Sequence, residues 1–146
     1  MKRRQFIKNT CLACAGGGLA AALLSGCKGT RYVSSALVAG RLTLAKSAFA
    51  YLKKEEVRYR SWVVVKAPQV LFPIGVFRTG ADQFFASYLE CTHQGCEVQP
   101  QGDYLQCPCH GSEFNKQGKV QQGPAGADLK TFPVETDTEN IYIVLK

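Results

Sequence analysis

The chain has 146 residues, 20% of them charged and 46% hydrophobic, which suits one globular domain and excludes a disordered charged tail. Its net charge of +7 is unevenly placed: Lys2, Arg3, Arg4 and Lys8 stand without an acid in the first 26 residues, and the rest nearly balances. The basicity belongs largely to one short segment, which argues against nucleic acid as a partner.

In chain order, Met1 to Cys27 reads as an address. A basic start, KRRQFIK, precedes an uncharged run from Cys11 to Gly26 rich in Ala, Gly and Leu. Those 16 residues would make a helix of about 24 Å, whereas a bilayer core of roughly 30 Å asks for about 20 residues. Three adjacent glycines, Gly16 to Gly18, weaken a helix further. A cleaved signal fits better than a permanent span. The arginine pair followed by Gln5-Phe6-Ile7-Lys8 resembles a bacterial twin-arginine (Tat) signal, a route for folded proteins that often carry a cofactor. Leu24-Ser25-Gly26-Cys27 resembles the lipobox of bacterial lipoproteins, in which Cys27 becomes the lipidated first residue. An ordinary cleavage site and an uncleaved anchor are the competing readings. Lys28 follows where a common inner-membrane retention signal has aspartate, so inner and outer membrane both stay open. The C-x-x-C of Cys11 and Cys14 lies inside the apolar run and reads as incidental. The expected division is a signal peptide over 1–26, a tether over 27–36 and a folded domain over 37–146.

Beyond the tether the apolar segments are short and rich in β-branched and aromatic residues. Strands are expected at Arg41 to Leu44, Ser61 to Lys66, Ile74 to Arg78, Gln83 to Leu89 and Ile141 to Leu145. Ser47 to Lys54 fits either one short helix or a strand and turn. No amphipathic pattern of 11 residues follows Ala81, so long helices are not expected there. Glycines at 80, 95, 102, 111, 118, 123 and 126 mark turns. The expected fold is all-β, a small antiparallel sandwich or barrel. Trp62 and the Phe and Tyr residues are assigned to the core.

The chemistry concentrates in one stretch. Of seven cysteines, four lie between Cys91 and Cys109, and both histidines lie there too. Cys91-Thr92-His93-Gln94-Gly95-Cys96 and Cys107-Pro108-Cys109-His110-Gly111-Ser112 read as two loops, joined by a hairpin centred on Gln101-Gly102-Asp103. Thiolate with imidazole suits zinc or an iron–sulfur cluster. The spacing is poor for a zinc finger, whose histidines stand as H-x₃₋₅-H. It suits a cluster with a cysteine pair on one iron and a histidine pair on the other. A structural zinc site and a wholly disulfide-stapled domain are the alternatives.

Together the two boxes resemble the Rieske 2Fe–2S proteins of the disulfide-containing, high-potential kind. A weaker similarity runs from about Leu37 to the C-terminus and includes the Gly123-Pro124-Ala125 loop. The resemblance implies a β-sandwich base with a cluster-binding subdomain over about 88–126. It assigns Cys91 and Cys107 to one iron, His93 and His110 to the other, and pairs Cys96 with Cys109 as a disulfide. It also implies that Gly95, Gly111, Ser112, Phe114 and Pro124 surround the cluster, with the Ser112 hydroxyl donating to a bridging sulfide. Two ferric ions, two sulfides, two thiolates and two neutral imidazoles sum to zero charge, against −2 for four cysteines. An electron is therefore accepted more readily, at about −150 to +300 mV rather than about −400 mV. With both irons closed by ligands, no catalytic residue is expected.

Two positions and one segment length depart from the respiratory proteins of this family. Phe114 replaces a tyrosine whose hydroxyl donates to a ligand sulfur, so a lower but still positive potential is expected. Gln94 replaces a leucine beside the quinol-docking face. The segment between His93 and Cys107 is slightly short. The expected function is one-electron transfer, as a relay or subunit of a respiratory oxidoreductase on the outer side of a bacterial membrane. Expected partners are a cytochrome b/c-type or molybdenum oxidoreductase, a membrane through the lipid anchor, and quinol if the chain serves a cytochrome bc-type complex. A ferredoxin-like oxygenase partner, which lacks the two disulfide cysteines, and a non-redox zinc module are the competing classes.

Overall fold

The structure is a computed structural model that describes residues 29–145. The expected signal peptide and Cys27 lie outside the described residues. Fifteen strands and one 3-10 turn make up the described regular structure. Among the described residues no helix is long and apolar enough to cross a membrane.

The central sheet has five strands in the order β1 (Tyr32–Ser34), β6 (Trp62–Lys66), β7 (Ile74–Arg78), β8 (Phe84–Tyr88) and β13 (Thr131–Phe132). A second sheet, ordered β14 (Val134–Thr136), β15 (Asn140–Val144), β3 (Arg41–Ala45) and β2 (Leu37–Val38), covers one face of it. Strand β3 alternates strictly, burying Leu42 and Leu44, and its partner β15 buries Ile141 and Ile143. These meet Val63 and Val65 of β6 and Ile74 and Val76 of β7 in one core.

The other face of the central sheet is covered as well. Val64 and Phe77 point away from the first core into a second, shared with Leu89, Cys91, Val98, Leu105, Cys107 and Phe114. That is why Val63-Val64-Val65 is an unbroken apolar run: β6 is buried on both faces, so alternation disappears. Gly75 belongs to the same crowded place. A Cβ there would stand 2.8 Å from the Phe77 ring and 3.1 Å from Leu89. The second core underlies a small sheet ordered β12 (Val120–Gln122), β11 (Glu113–Asn115), β10 (Tyr104–Gln106) and β9 (Gln99–Pro100). The molecule is thus a sandwich with a third, smaller layer on its outer face.

Two expectations are corrected. The segment over 27–36 is not a free tether throughout, because Tyr32–Ser34 pairs in parallel with Val64 to Lys66 and Val33 packs on the first core. The edge of β6 has backbone groups to satisfy, and this segment satisfies them. Nor do all the aromatic residues lie in the core. Tyr32, Tyr59 and Phe85 are exposed, with Lys66 over the Tyr32 ring and Arg78 over the Tyr59 ring. The open question at Ser47 to Lys54 resolves into a 3-10 turn, Lys46–Phe49, followed by β4 (Ala50–Lys53). Strand β4 turns back as β5 (Glu56–Tyr59) to make a separate two-stranded sheet.

Candidate metal centre

Strand β8 delivers the chain to Cys91, and β10 delivers it to Cys107. Each loop then closes by the same hydrogen-bond pattern. In the first, Cys91 N–H donates to the Cys96 carbonyl at 2.8 Å and Gly95 N–H to the Cys91 carbonyl at 2.8 Å. In the second, Cys107 N–H donates to the Ser112 carbonyl at 2.8 Å and Gly111 N–H to the Cys107 carbonyl at 3.0 Å. The fourth residue after each leading cysteine must adopt a left-handed backbone, and it is glycine in both: φ is +70° at Gly95 and +78° at Gly111. The two loops are one structural device used twice. The spacing C-x₃-G was the sequence signal for it.

The Cys96–Cys109 disulfide ties the loops together, with Cα atoms 6.5 Å apart. Cys91 and Cys107 remain free thiols and are buried. The Sγ atoms of Cys96, Cys107 and Cys109 lie within 4.8 Å of one another. Two of them are bonded to each other, so this triple is a disulfide packed on a thiol and not a three-ligand metal site. Burial pushes the Cys107 thiol above its ordinary pKa, and the neighbouring Cys91 thiol adds to the rise. The backbone N–H groups of Cys109 and His110 donate to the Cys107 sulfur and pull the other way.

The two imidazoles meet edge to face, ring centres 4.9 Å apart with planes at 86°. His110 is exposed and His93 half-buried, so the imidazole side of the centre is the accessible one and the thiol side the buried one. Nδ1 of His93 is buried and has no hydrogen-bond partner. A buried ring nitrogen left without a proton partner is a natural metal ligand. Two buried thiols, two adjoining imidazoles and that orphaned nitrogen fit a cluster with sulfur donors on one metal and nitrogen donors on the other.

A third segment closes the site. The Ser112 hydroxyl oxygen, fully buried, accepts the Ala125 N–H at 3.0 Å, which leaves the hydroxyl's own proton to donate. The Gly123–Pro124 peptide is cis, and Pro124 itself is exposed. Phe114 is fully buried in the same core as Cys91 and Cys107. Sequence reasoning missed two anchors. Thr92 Oγ1 donates to the Ala127 carbonyl at 2.6 Å, and Asp128 accepts from the Val120 N–H at 2.8 Å and from Lys119 at 2.7 Å. The lysine and that N–H hold the Asp128 carboxyl below its usual pKa. These contacts span 35 residues for Thr92 and eight or nine for Asp128, and no local spacing announces them.

No curated protein sequence matches the chain. Among solved structures it is similar to the cyanobacterial plasma membrane Rieske protein PetC3 from Synechocystis PCC 6803. The two are 34% identical with a TM-score of 0.51, over 57% of this chain and 85% of that one. It is also similar to a ferredoxin from Sphingomonas yanoikuyae B1, at 22% identity and a TM-score of 0.47, over 59% of this chain and 86% of that one. The family model described as the Rieske [2Fe-2S] domain matches residues 48–133, which take in both loops and most of both cores. With the paired loops already in place on structural grounds, that match settles their kind: the chain belongs to the Rieske [2Fe-2S] domain family, binds a 2Fe–2S cluster and transfers electrons with it.

Proposed function

We propose that Cys91 and Cys107 hold one iron and His93 and His110 the other, and that the protein is a membrane-tethered one-electron relay of the bacterial cell envelope. The observation that carries this is the duplicated loop: each copy offers one buried cysteine and one histidine, and the disulfide holds the copies together. The bound cluster would supply a site that takes up and gives back a single electron.

The chain's own groups do the rest. The N–H groups aimed at the Cys107 sulfur favour negative charge there and so favour the reduced state. The Ser112 proton, unused by the Ala125 contact, adds a second donor of the same sense. Burial of the thiols and exposure of His110 leave the imidazole edge as the approach for a partner. Gln94, beside His93, is exposed and polar, which suits a protein partner better than an apolar quinol. The partner is then a larger oxidoreductase, of cytochrome b/c or molybdenum type.

The location follows from three supports. A disulfide between Cys96 and Cys109 belongs in an oxidising compartment. Residues 1–26 have the pattern of a Tat-type lipoprotein signal ending at Cys27. The similar PetC3 is a plasma membrane protein. We assign 1–26 to the signal, lipidation to Cys27, and the folded domain to the residues from Tyr32 onward. Two measurements test this reading. Coulometric titration followed in the visible is expected to bleach the protein reversibly with one electron per chain. Cys27→Ala is expected to lose acyl label and leave the membrane fraction; a label that persists overturns the anchor.

A further inference from the structure

The β4–β5 hairpin has two unlike faces. Cross-strand pairs share a face, so Ala50, Tyr59, Leu52 and Val57 lie on one side, and Tyr51, Arg58, Lys53 and Glu56 on the other. The first side is apolar and open: Leu52 is 74% exposed, Val57 58% and Tyr59 55%. Among the described residues neither strand pairs with any other sheet. A contiguous apolar face of this kind marks a surface for a partner.

The chain path says which partner. Gly29 and Arg31 line a cleft of about 450 Å³ together with Tyr51 and Tyr59 of the hairpin and Trp62 of β6. The chain therefore joins the fold beside the hairpin. Cys27 stands two residues before Gly29, and two residues reach at most about 7 Å. With β1 beginning at Tyr32, little slack remains.

The ligand loops lie at the other end of the molecule. Strand β6 starts at Trp62 beside the cleft and ends at Lys66. Strand β8 runs antiparallel to β7, so Tyr88 stands opposite Ile74, at the far end from Trp62, and leads on to Cys91. The β9–β10 turn agrees: Gly102 lines the cleft, and β10 leads away from it to Cys107.

We propose that the apolar face of the β4–β5 hairpin rests in the headgroup region of a phospholipid bilayer, so that the His93–His110 edge is turned away from the membrane toward a water-side partner. This rests on the reading of Cys27 as the anchor. Cations border the face where anionic headgroups would lie: Arg78 stands over the Tyr59 ring at 4.6 Å and Arg31 lines the cleft beside it, while Lys54 and Glu55 in the turn offset each other and Lys53, Arg58, Arg60 and Glu56 belong to the other side. Tyr59 is a residue type that favours the interface.

The test uses the full-length, cluster-loaded protein in vesicles of phosphatidylcholine and phosphatidylglycerol with brominated acyl chains. Leu52→Trp reports on the hairpin. Leu71→Trp reports on the far end, since Leu71 is 86% exposed in the loop joining β6 to β7. Trp62 is the single native tryptophan, so quenching is read as the excess over the parent protein. Retained cluster absorption shows that each variant is folded. The expected result is loss of emission for Leu52→Trp, none for Leu71→Trp, and reversal of the loss when Val57→Gln is added. Protein that sediments with vesicles while Leu52→Trp stays bright overturns the hairpin contact and leaves the anchor standing. Cys27→Ala that still sediments with Leu52→Trp quenched supports the contact and removes lipidation as its cause. Protein that stays in the supernatant overturns both. Emission of Leu52→Trp that follows protein concentration instead of brominated lipid puts a second copy on the face and overturns the proposal.

Discussion

The core between the two large sheets draws on strands of five residues, β3, β6, β7, β8 and β15, and contains no thiol. The core beneath the ligand loops shares β6 and β7 but is otherwise built on strands of two or three residues, and it includes Cys91 and Cys107. The first has long ladders and aliphatic packing, so it can fold by burying apolar area. The second has short ladders and many turns, so its order depends on a disulfide, side-chain contacts to loop carbonyls, and the cluster. The lesson is a division of labour across the central sheet: one face supplies stability and the other holds a cofactor that in turn holds it.

Removing a ligand strains this division most. Cys107→Ala is expected to abolish visible absorption altogether. Hydrogen exchange should then lose its protection over 91–126 while β3 and β15 keep theirs, because cluster binding is part of the folding free energy of that layer alone. Uniform loss over both layers would break the comparison. The opposite probe is Ile141→Ala in the first core. A fully buried residue truncated there costs about 2–5 kcal/mol in chemical denaturation, and the midpoint potential should stay where it was. Next comes the double change Cys96→Ser with Cys109→Ser. The bridge closes a loop of sequence separation 13, and losing it is expected to cost about 3 kcal/mol. Bleaching of the cluster should then precede unfolding of the sandwich on heating.

Phe114→Tyr sharpens the comparison from the cofactor side. The ring lies in the core that holds both free thiols, so a hydroxyl on it adds a donor near the ligand sulfurs. One hydrogen bond of about 0.5–1.5 kcal/mol, present more strongly in the reduced state, raises a one-electron potential by about 20–65 mV. An unchanged potential in redox titration removes this account of Phe114. The smallest effect belongs to the sandwich. Asp137 accepts hydrogen bonds from Tyr142 Oη and from the N–H groups of Asn140 and Glu139, which hold its pKa down at about 2. A depressed carboxyl pKa contributes stability above its ordinary value of 3.8 and loses it as pH falls toward about 2. Asp137→Asn should therefore flatten the acid limb of the stability–pH curve over that window, leaving cluster absorption at neutral pH untouched.

How much of this was legible depended on whether the deciding contact was local. Ile74 to Arg78 is found as read, bounded by Pro73 and Gly80, and the strands at 61–66, 83–89 and 141–145 shift by one residue at their ends, where no proline or glycine adjoins them. The strand Tyr32–Ser34 is not legible in the sequence because three residues carry no period, and their partner β6 lies 32 positions on. Ser47 to Lys54 stayed open because Ala, Phe, Tyr and Leu serve a 3-10 turn and a strand alike. The ligand loops were readable because a cysteine, a histidine and a left-handed glycine must stand within six residues. The Ser112–Ala125 contact and the packing of this layer on Val64 and Phe77 were not, since both are made by residues far apart in the chain.

The most direct test of the ligand assignment is pulsed EPR of the dithionite-reduced protein grown on ¹⁵N-histidine, alongside iron and acid-labile sulfide analysis. The account predicts iron and sulfide in equal amounts and two coupled histidine nitrogens, with those couplings gone in His93→Ala and His110→Ala as the cluster is lost. Zinc without sulfide, or a reduced cluster showing no histidine nitrogen, would contradict it.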